Sequence, residues 1–312
     1  MPIDPIAQKM LDDAKASGRP NAHLLPVETA RQNFEDTFGA LAKPPIHRVV
    51  DIAIPTRDGQ TIPGRLYLPA EESSVLPLTV YYHGGGWLLG SIDSHDVATR
   101  MLANASGSAV LSVGYRRAPE SRFPTAVNDA IDALEFAASP ASGLDVDTTH
   151  IAVAGDSAGG NLAAAVALHA RDAGTVHLRH QLLIYPVATT DLARGMDSEY
   201  DGVMLERDEL QWHQDNYLPD AAAAADPRVD ILSADLAGLP EATVLLAECD
   251  PIRPQGELLA EALKAAGVPT LTHQTPGMVH GFFGLDEVFP SATEAMTLAG
   301  ERLAHALGGA DK

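Results

Sequence analysis

Six consecutive residues, Gly155-Asp156-Ser157-Ala158-Gly159-Gly160, carry the plainest chemical potential in this sequence. They follow a short apolar run at 151–154 and open an apolar stretch of helical character. A serine at such a strand–turn–helix junction is lifted above a sheet on a sharp turn. Glycines two residues to either side remove the side chains that would block it. Gly160 also permits close packing of helix on strand. By composition alone a Gly-x-Ser-x-Gly match arises in roughly one such chain in ten, so its placement after a strand weighs more than the match. A serine hydroxyl becomes a useful nucleophile only when a base takes its proton and a carboxylate orients that base.

A second signal, His83-Gly84-Gly85-Gly86, ends the apolar run at 78–82. Chance would produce it in under about one such chain in a hundred. Three glycines let backbone N–H groups turn towards a ligand. Where a serine attacks a carbonyl, negative charge grows on oxygen, and each fixed donor is worth about 10²–10³ in rate. A phosphate loop is the alternative reading, but neither a Walker lysine nor a dinucleotide spacing is present.

The base must be chosen among twelve histidines. His280 sits in the glycine-flanked loop Gly277-Met278-Val279-His280-Gly281, after an expected last strand at 270–274. It comes late enough for the chain order serine, acid, histidine. His273, inside that strand, is its nearest competitor. Asp250 follows the apolar run at 242–247 and is favoured as the orienting acid, with Glu248 two residues earlier as its rival. Asp156 is expected to point away from the serine and support the turn through backbone hydrogen bonds. Cys249, the only cysteine, has no base to pair with and is read as a packed side chain.

These residues need a scaffold that brings them to one edge. Residues 49–54 and 62–68 read as strands joined around Asp58-Gly59, a hairpin signal. Further short apolar runs lie at 78–82, 109–113, 151–154, 181–185 and 242–247, with helical patterns near 93–105, 125–138, 158–171, 254–266 and 292–307. Continuous apolar strands alternating with helices specify an α/β fold, a mostly parallel sheet covered on both faces. The opening 45 residues read as helical up to Pro44-Pro45, and Phe34, Phe38 and Leu41 share one face that something must cover. More than fifty residues separate Tyr185 from Ala242, too many for a plain crossover, so an insertion is expected there. Within it 207–218 reads as a helix, with Leu210 and Tyr217 seven apart.

Composition narrows the partners. The chain has 312 residues, 46% hydrophobic and 20% charged, ordinary for a globular protein that needs no disulfide or metal staple. Its 42 acidic and 21 basic residues leave a net charge of −21, which repels nucleic-acid phosphates and anionic lipid surfaces. Asp4, Asp12 and Asp13 replace the basic-then-apolar order of a secretion signal, and no apolar run reaches membrane-spanning length. A cytoplasmic protein is the expectation.

Taken together, the motifs resemble those of the hormone-sensitive-lipase-like esterases of the α/β-hydrolase fold. The likeness runs from about residue 45 to 285 through Tyr82-His83-Gly84-Gly85-Gly86-Trp87, Tyr115-Arg116-Arg117-Ala118-Pro119-Glu120, Phe123-Pro124, the serine turn, Leu183-Ile184-Tyr185-Pro186, Asp250-Pro251-Ile252-Arg253 and His280-Gly281-Phe282. It implies Ser157 as nucleophile, His280 as base and Asp250 as acid, with an oxyanion hole from the N–H groups of Gly84, Gly85 and Ala158. It further implies a helical cap from residues 1–45 and an insertion at about 188–225, on a catalytic domain of residues 46–312. A small-molecule ester is the implied partner, with no cofactor and no metal. Homodimers are common in the family, but no patch in the sequence points to one. Short to medium acyl chains, roughly two to eight carbons, are the implied substrates, because two short cap segments enclose a limited pocket. Trp87, Tyr185, Leu205, Trp212 and Phe282 are candidates to line it, and each could equally be core. An amidase, lactonase or deacetylase would use the same triad, and a non-catalytic small-molecule receptor is the alternative of another class. One departure from the family pattern is Pro254-Gln255, where an acidic residue and another polar one are usual.

Overall fold

In the computed structural model, which describes residues 2–70 and 75–308, the alternating pattern resolves into one eight-stranded sheet. The ends of the two expected segments, residue 1 and residues 309–312, lie outside the described residues. Helices α1 (Pro5–Ala16) and α2 (Val27–Phe38) come first. Strands β1 (Arg48–Pro55) and β2 (Thr61–Leu68) follow as an antiparallel hairpin whose turn places Gly59 at φ +77°. Then come β3 (Leu76–Tyr82), α3 (Asp96–Ser106), β4 (Ala109–Val113), α4 (Thr125–Ala138), β5 (Val146–Asp156), α5 (Ala158–Ala173) and β6 (Leu178–Ile184). The insertion holds α6 (Arg207–Tyr217) and the single turn α7 (Ala221–Ala224). The chain closes with β7 (Glu241–Ala247), α8 (Arg253–Ala265), β8 (Thr270–Thr275) and α9 (Pro290–Ala306).

Strand order is β1-β2-β4-β3-β5-β6-β7-β8, and every pair from β4 to β8 is parallel. β2 meets β4 antiparallel, so the hairpin forms one edge. The central strands are buried on both faces, which is why they read as unbroken apolar runs rather than alternations. Alternate residues serve two apolar layers. Leu78, Val80, Tyr82 and Val153 pack with α4 and α5, while Tyr81, Ala152, Ala154 and Leu245 pack with α3 and α9.

Two differences from the sequence expectation have local causes. β5 begins five residues early, because Val146 and Asp147 pair with Leu76 and Pro77 across an irregularity in the register. Tyr185, expected as the last residue of a strand, lies past the end of β6 at φ +33°. Its N–H reaches Leu245 O at 2.6 Å, which bends the chain out of the sheet. In the insertion, Leu210 and Tyr217 both turn inward as their spacing required, and Tyr217 stacks on Trp87 with ring centroids 4.4 Å apart. Phe34, Phe38 and Leu41 face a cavity over the carboxyl ends of the strands. Among the described residues no helix is long and apolar enough to cross a membrane.

Candidate active site

Ser157 occupies the single residue between β5 and α5, with φ +54° and ψ −119°. That left-handed conformation is strained for a residue with a Cβ and persists only where the surroundings impose it. Here Ser157 N donates to Ile184 O at 2.8 Å, and Ser157 O accepts from Val187 N at 3.1 Å. The flanking glycines are sterically required. A Cβ on Gly155 would overlap the Gly159 carbonyl, and one on Gly159 would overlap the Tyr82 carbonyl.

Residues far apart in sequence meet this serine. His280 Nε2 stands 2.9 Å from Ser157 Oγ, and His280 Nδ1 stands 2.7 Å from Asp250 Oδ2. A carboxylate oxygen only accepts, so Nδ1 carries the proton and Nε2 presents a lone pair to the hydroxyl. Asp250 is fully buried, and its other oxygen accepts from Ile252 N at 2.9 Å, which fixes the carboxylate plane. The rival acid, Glu248, instead accepts from Gly277 N at 2.7 Å and so anchors the start of the histidine loop. His273 remains within β8, opposite Leu245.

The glycine loop requires one correction. Gly84 N donates to Asp156 Oδ1 at 3.0 Å, and a Cβ there would overlap the same carboxylate. Its N–H is therefore consumed in holding the loop and faces Asp156 rather than a ligand. The N–H groups of Gly85, Gly86 and Ala158 donate to no acceptor among the described residues. Gly85 and Gly86 take φ +102° and +60° and line the cavity beside Ser157 with their N–H groups unengaged by described residues, unlike that of Gly84. The Asp156 carboxylate holds the glycine loop through Gly84 N rather than the serine turn expected, with Tyr81 Oη also donating to it at 2.7 Å.

Behind the loop the electrostatics are organised. Burial and the neighbouring charge on His95 hold His83 down to about 3, so it is neutral and donates from Nδ1 to Gly84 O at 2.8 Å. His95 is also buried, which opposes its charge, but Asp156 at 3.4 Å more than offsets this and raises its pKa. Asp156 is in turn held below its ordinary value: burial opposes its charge, but His95 and the Tyr81 hydrogen bond together prevail.

The cavity measures about 380 Å³, near the lower end for small-molecule sites. Trp87, Tyr185 and Leu205 line it as expected, and the Tyr185 ring lies 4.6 Å from that of His280. Trp212 and Phe282 do not. Trp212 packs sideways against the apolar layer, and Phe282 is fully buried against Tyr185. Their neighbours His213 and Phe283 face the cavity instead. Helical phase could have identified His213: it lies three residues after Leu210 and four before Tyr217, on the inward face. Gln255, the departure from the family pattern, accepts from Ala188 N at 2.9 Å and Thr189 N at 3.2 Å. It pins the first residues of the insertion to α8.

This geometry has close counterparts. A family model described as alpha/beta hydrolase fold matches residues 79–284. An ethyl acetate hydrolase of Pseudomonas putida is 37% identical over 290 residues, covering 90% of this chain and 91% of that one. Carboxylesterase NlhH of Mycobacterium tuberculosis is 38% identical over 308 residues, covering 94% and 92%. Among solved structures, a hyperthermophilic esterase from Pyrobaculum calidifontis superposes with a TM-score of 0.88 at 39% identity, covering 98% of this chain and 99% of that one. A thermostable esterase from Pseudomonas putida gives a TM-score of 0.91 at 34% identity, covering 98% of each. The chain belongs to the α/β-hydrolase fold family, among the esterases its motifs resemble.

Proposed function

We propose that the chain hydrolyses carboxylic esters of short to medium acyl chains, with Ser157 as nucleophile, His280 as general base and Asp250 as its orienting acid. Ser157 Oγ attacks the ester carbonyl as His280 Nε2 takes its proton. The carbonyl oxygen becomes an oxyanion held by the Gly85, Gly86 and Ala158 N–H groups. Collapse of this intermediate expels the alcohol, which receives the proton from His280. Water then attacks the acyl-serine with the same base and the same donors, releasing the acid and restoring Ser157. Residues 1–45 and about 188–225 act as a cap that shapes the pocket, an assignment supported by the cavity residues each segment contributes.

The observation that carries this reading is the pair of contacts at 2.9 Å and 2.7 Å joining Ser157, His280 and Asp250. The bland alternative, a buried structural histidine, gives no reason to hold a serine in a strained conformation with unpaired N–H groups beside it. Ser157→Ala tests it. The variant should fold normally, lose nearly all turnover of p-nitrophenyl butyrate and escape labelling by a fluorophosphonate. Retention of most of the activity would refute the assignment of the nucleophile.

A further inference from the structure

The loop that presents Gly85 and Gly86 is held through Gly84 by Asp156, and Asp156 has a partner that the reaction does not use. His95 Nε2 faces Asp156 Oδ2 at 3.4 Å, and His95 Nδ1 faces the Ser91 carbonyl at 3.3 Å. The approach of Nε2 to the buried Asp156 carboxylate, with Glu35 adding negative charge from the cap side, favours the imidazolium, nearly buried, its side chain 11% exposed. Ser94 Oγ lies 3.1 Å from the same Nδ1. From the cap side, Glu35 of α2 accepts from Ser91 Oγ at 2.9 Å.

We propose that His95 is a positioning residue for ester hydrolysis: its positive charge fixes Asp156, Asp156 fixes Gly84, and Gly84 sets the aim of the Gly85 and Gly86 N–H groups. The proposal rests on the reading of Ser157 as the nucleophile and of this loop as the oxyanion site. Asp156 is also the residue before Ser157, so one carboxylate registers the nucleophile turn against the glycine loop. Without the cation, a buried carboxylate keeps only Tyr81 Oη and Gly84 N as partners among the described residues, and charge in such a site is costly unless paired.

The charged groups around His95 define the expected pH response. Asp156 and Glu35 favour its proton. His83, with its ring 5.4 Å away, is neutral, and Arg117 beside it is held by Gly90 O. Since the folded protein raises the pKa of His95, the ion pair is intact below the ordinary histidine value and fails as pH climbs through the raised one. Turnover should therefore show an alkaline limb above the ordinary histidine value of about 6.5.

The test is His95→Gln, which can still donate one N–H to Asp156 but carries no charge. Folding is checked by thermal melting. On the plateau below the alkaline limb kcat should fall about ten- to a hundredfold with little change in KM, less than the full cost of deleting a donor, because the donors are displaced rather than lost. The alkaline limb of the wild type should disappear. Affinity for a trifluoromethyl ketone, whose adduct places an oxyanion in the loop, should weaken in parallel, while affinity for the product alcohol should hold. If His95→Gln does not fold, Glu35→Gln serves in its place: it keeps the acceptor for Ser91 but removes a charge that favours the cation, and should move the alkaline limb to lower pH. A folded His95→Gln enzyme with wild-type kcat, or with the limb retained, overturns the proposal. So does a wild-type profile flat into strong alkali, or an unmoved limb in Glu35→Gln. Ser157→Ala assayed in parallel separates the two readings, because an active Ser157→Ala removes the esterase mechanism whatever His95 does.

Discussion

Asp250→Asn changes one atom and should disable the base without disturbing the fold. In the native site Asp250 Oδ1 accepts from Ile252 N, and Oδ2 accepts from His280 Nδ1. An asparagine has only one acceptor. If its oxygen satisfies Ile252, its NH₂ faces Nδ1, so the imidazole must carry its proton on Nε2, where it points at Ser157 and cannot take the hydroxyl proton. The opposite flip restores the correct tautomer but sets two buried donors against each other, each unsatisfied donor costing about 1–3 kcal/mol. The productive arrangement is then about 2–6 kcal/mol uphill, and the developing imidazolium has also lost its anionic partner. At about 1.4 kcal/mol per decade this corresponds to a fall in kcat/KM of about 30-fold to 10⁴-fold. Steady-state hydrolysis of p-nitrophenyl butyrate, with a thermal melt to confirm folding, measures it. A folded variant within tenfold of wild type would refute both the tautomer argument and the role given to Asp250.

Two further outcomes test the frame around that site. Gly159→Ala forces a methyl group into the Tyr82 carbonyl, and neither backbone can yield without separating α5 from β3. It should cost about 1–3 kcal/mol in urea unfolding and reduce kcat as well, and an unchanged urea midpoint would contradict the close approach. A series of p-nitrophenyl esters from acetate upwards should peak at short to medium chains, because the cavity of about 380 Å³ is near the lower end for ligand sites. A preference for dodecanoate would show that the cap opens or that the pocket lies elsewhere.

Much of the scaffold is visible in the chain because burial on two faces leaves a distinctive residue pattern. The runs at 109–113 and 242–247 coincide with β4 and β7 because both faces of those strands are buried, and only small polar residues, Ser112 and Thr243, interrupt them. The serine turn is legible because its glycines are sterically compelled, and Asp250 and His280 because they follow strands in the required order. What stayed hidden depends on contacts across the fold. That Gly84 donates to Asp156 follows from β3 lying next to β5, a neighbour relation that no local pattern encodes. The left-handed Tyr185 is likewise set by Leu245, sixty residues on. Trp212, a candidate to line the pocket, packs into the apolar layer, whereas helical phase, the better guide, selects His213.

The pairing of β3 with β5 has a consequence for how such a site can fail. Tyr82 lies opposite Gly155 in parallel register, so the glycine loop and the Ser157 turn leave the sheet from adjacent rails at the same height. A slip by one residue would turn every side chain to the wrong face, and the smallest slip that preserves the faces moves one rail by about 6.6 Å. No continuum of slightly misaligned sheets lies between those states. The hydrogen-bond pitch thus digitises the coarse alignment, and only the local bends on either rail are left for small adjustments to tune.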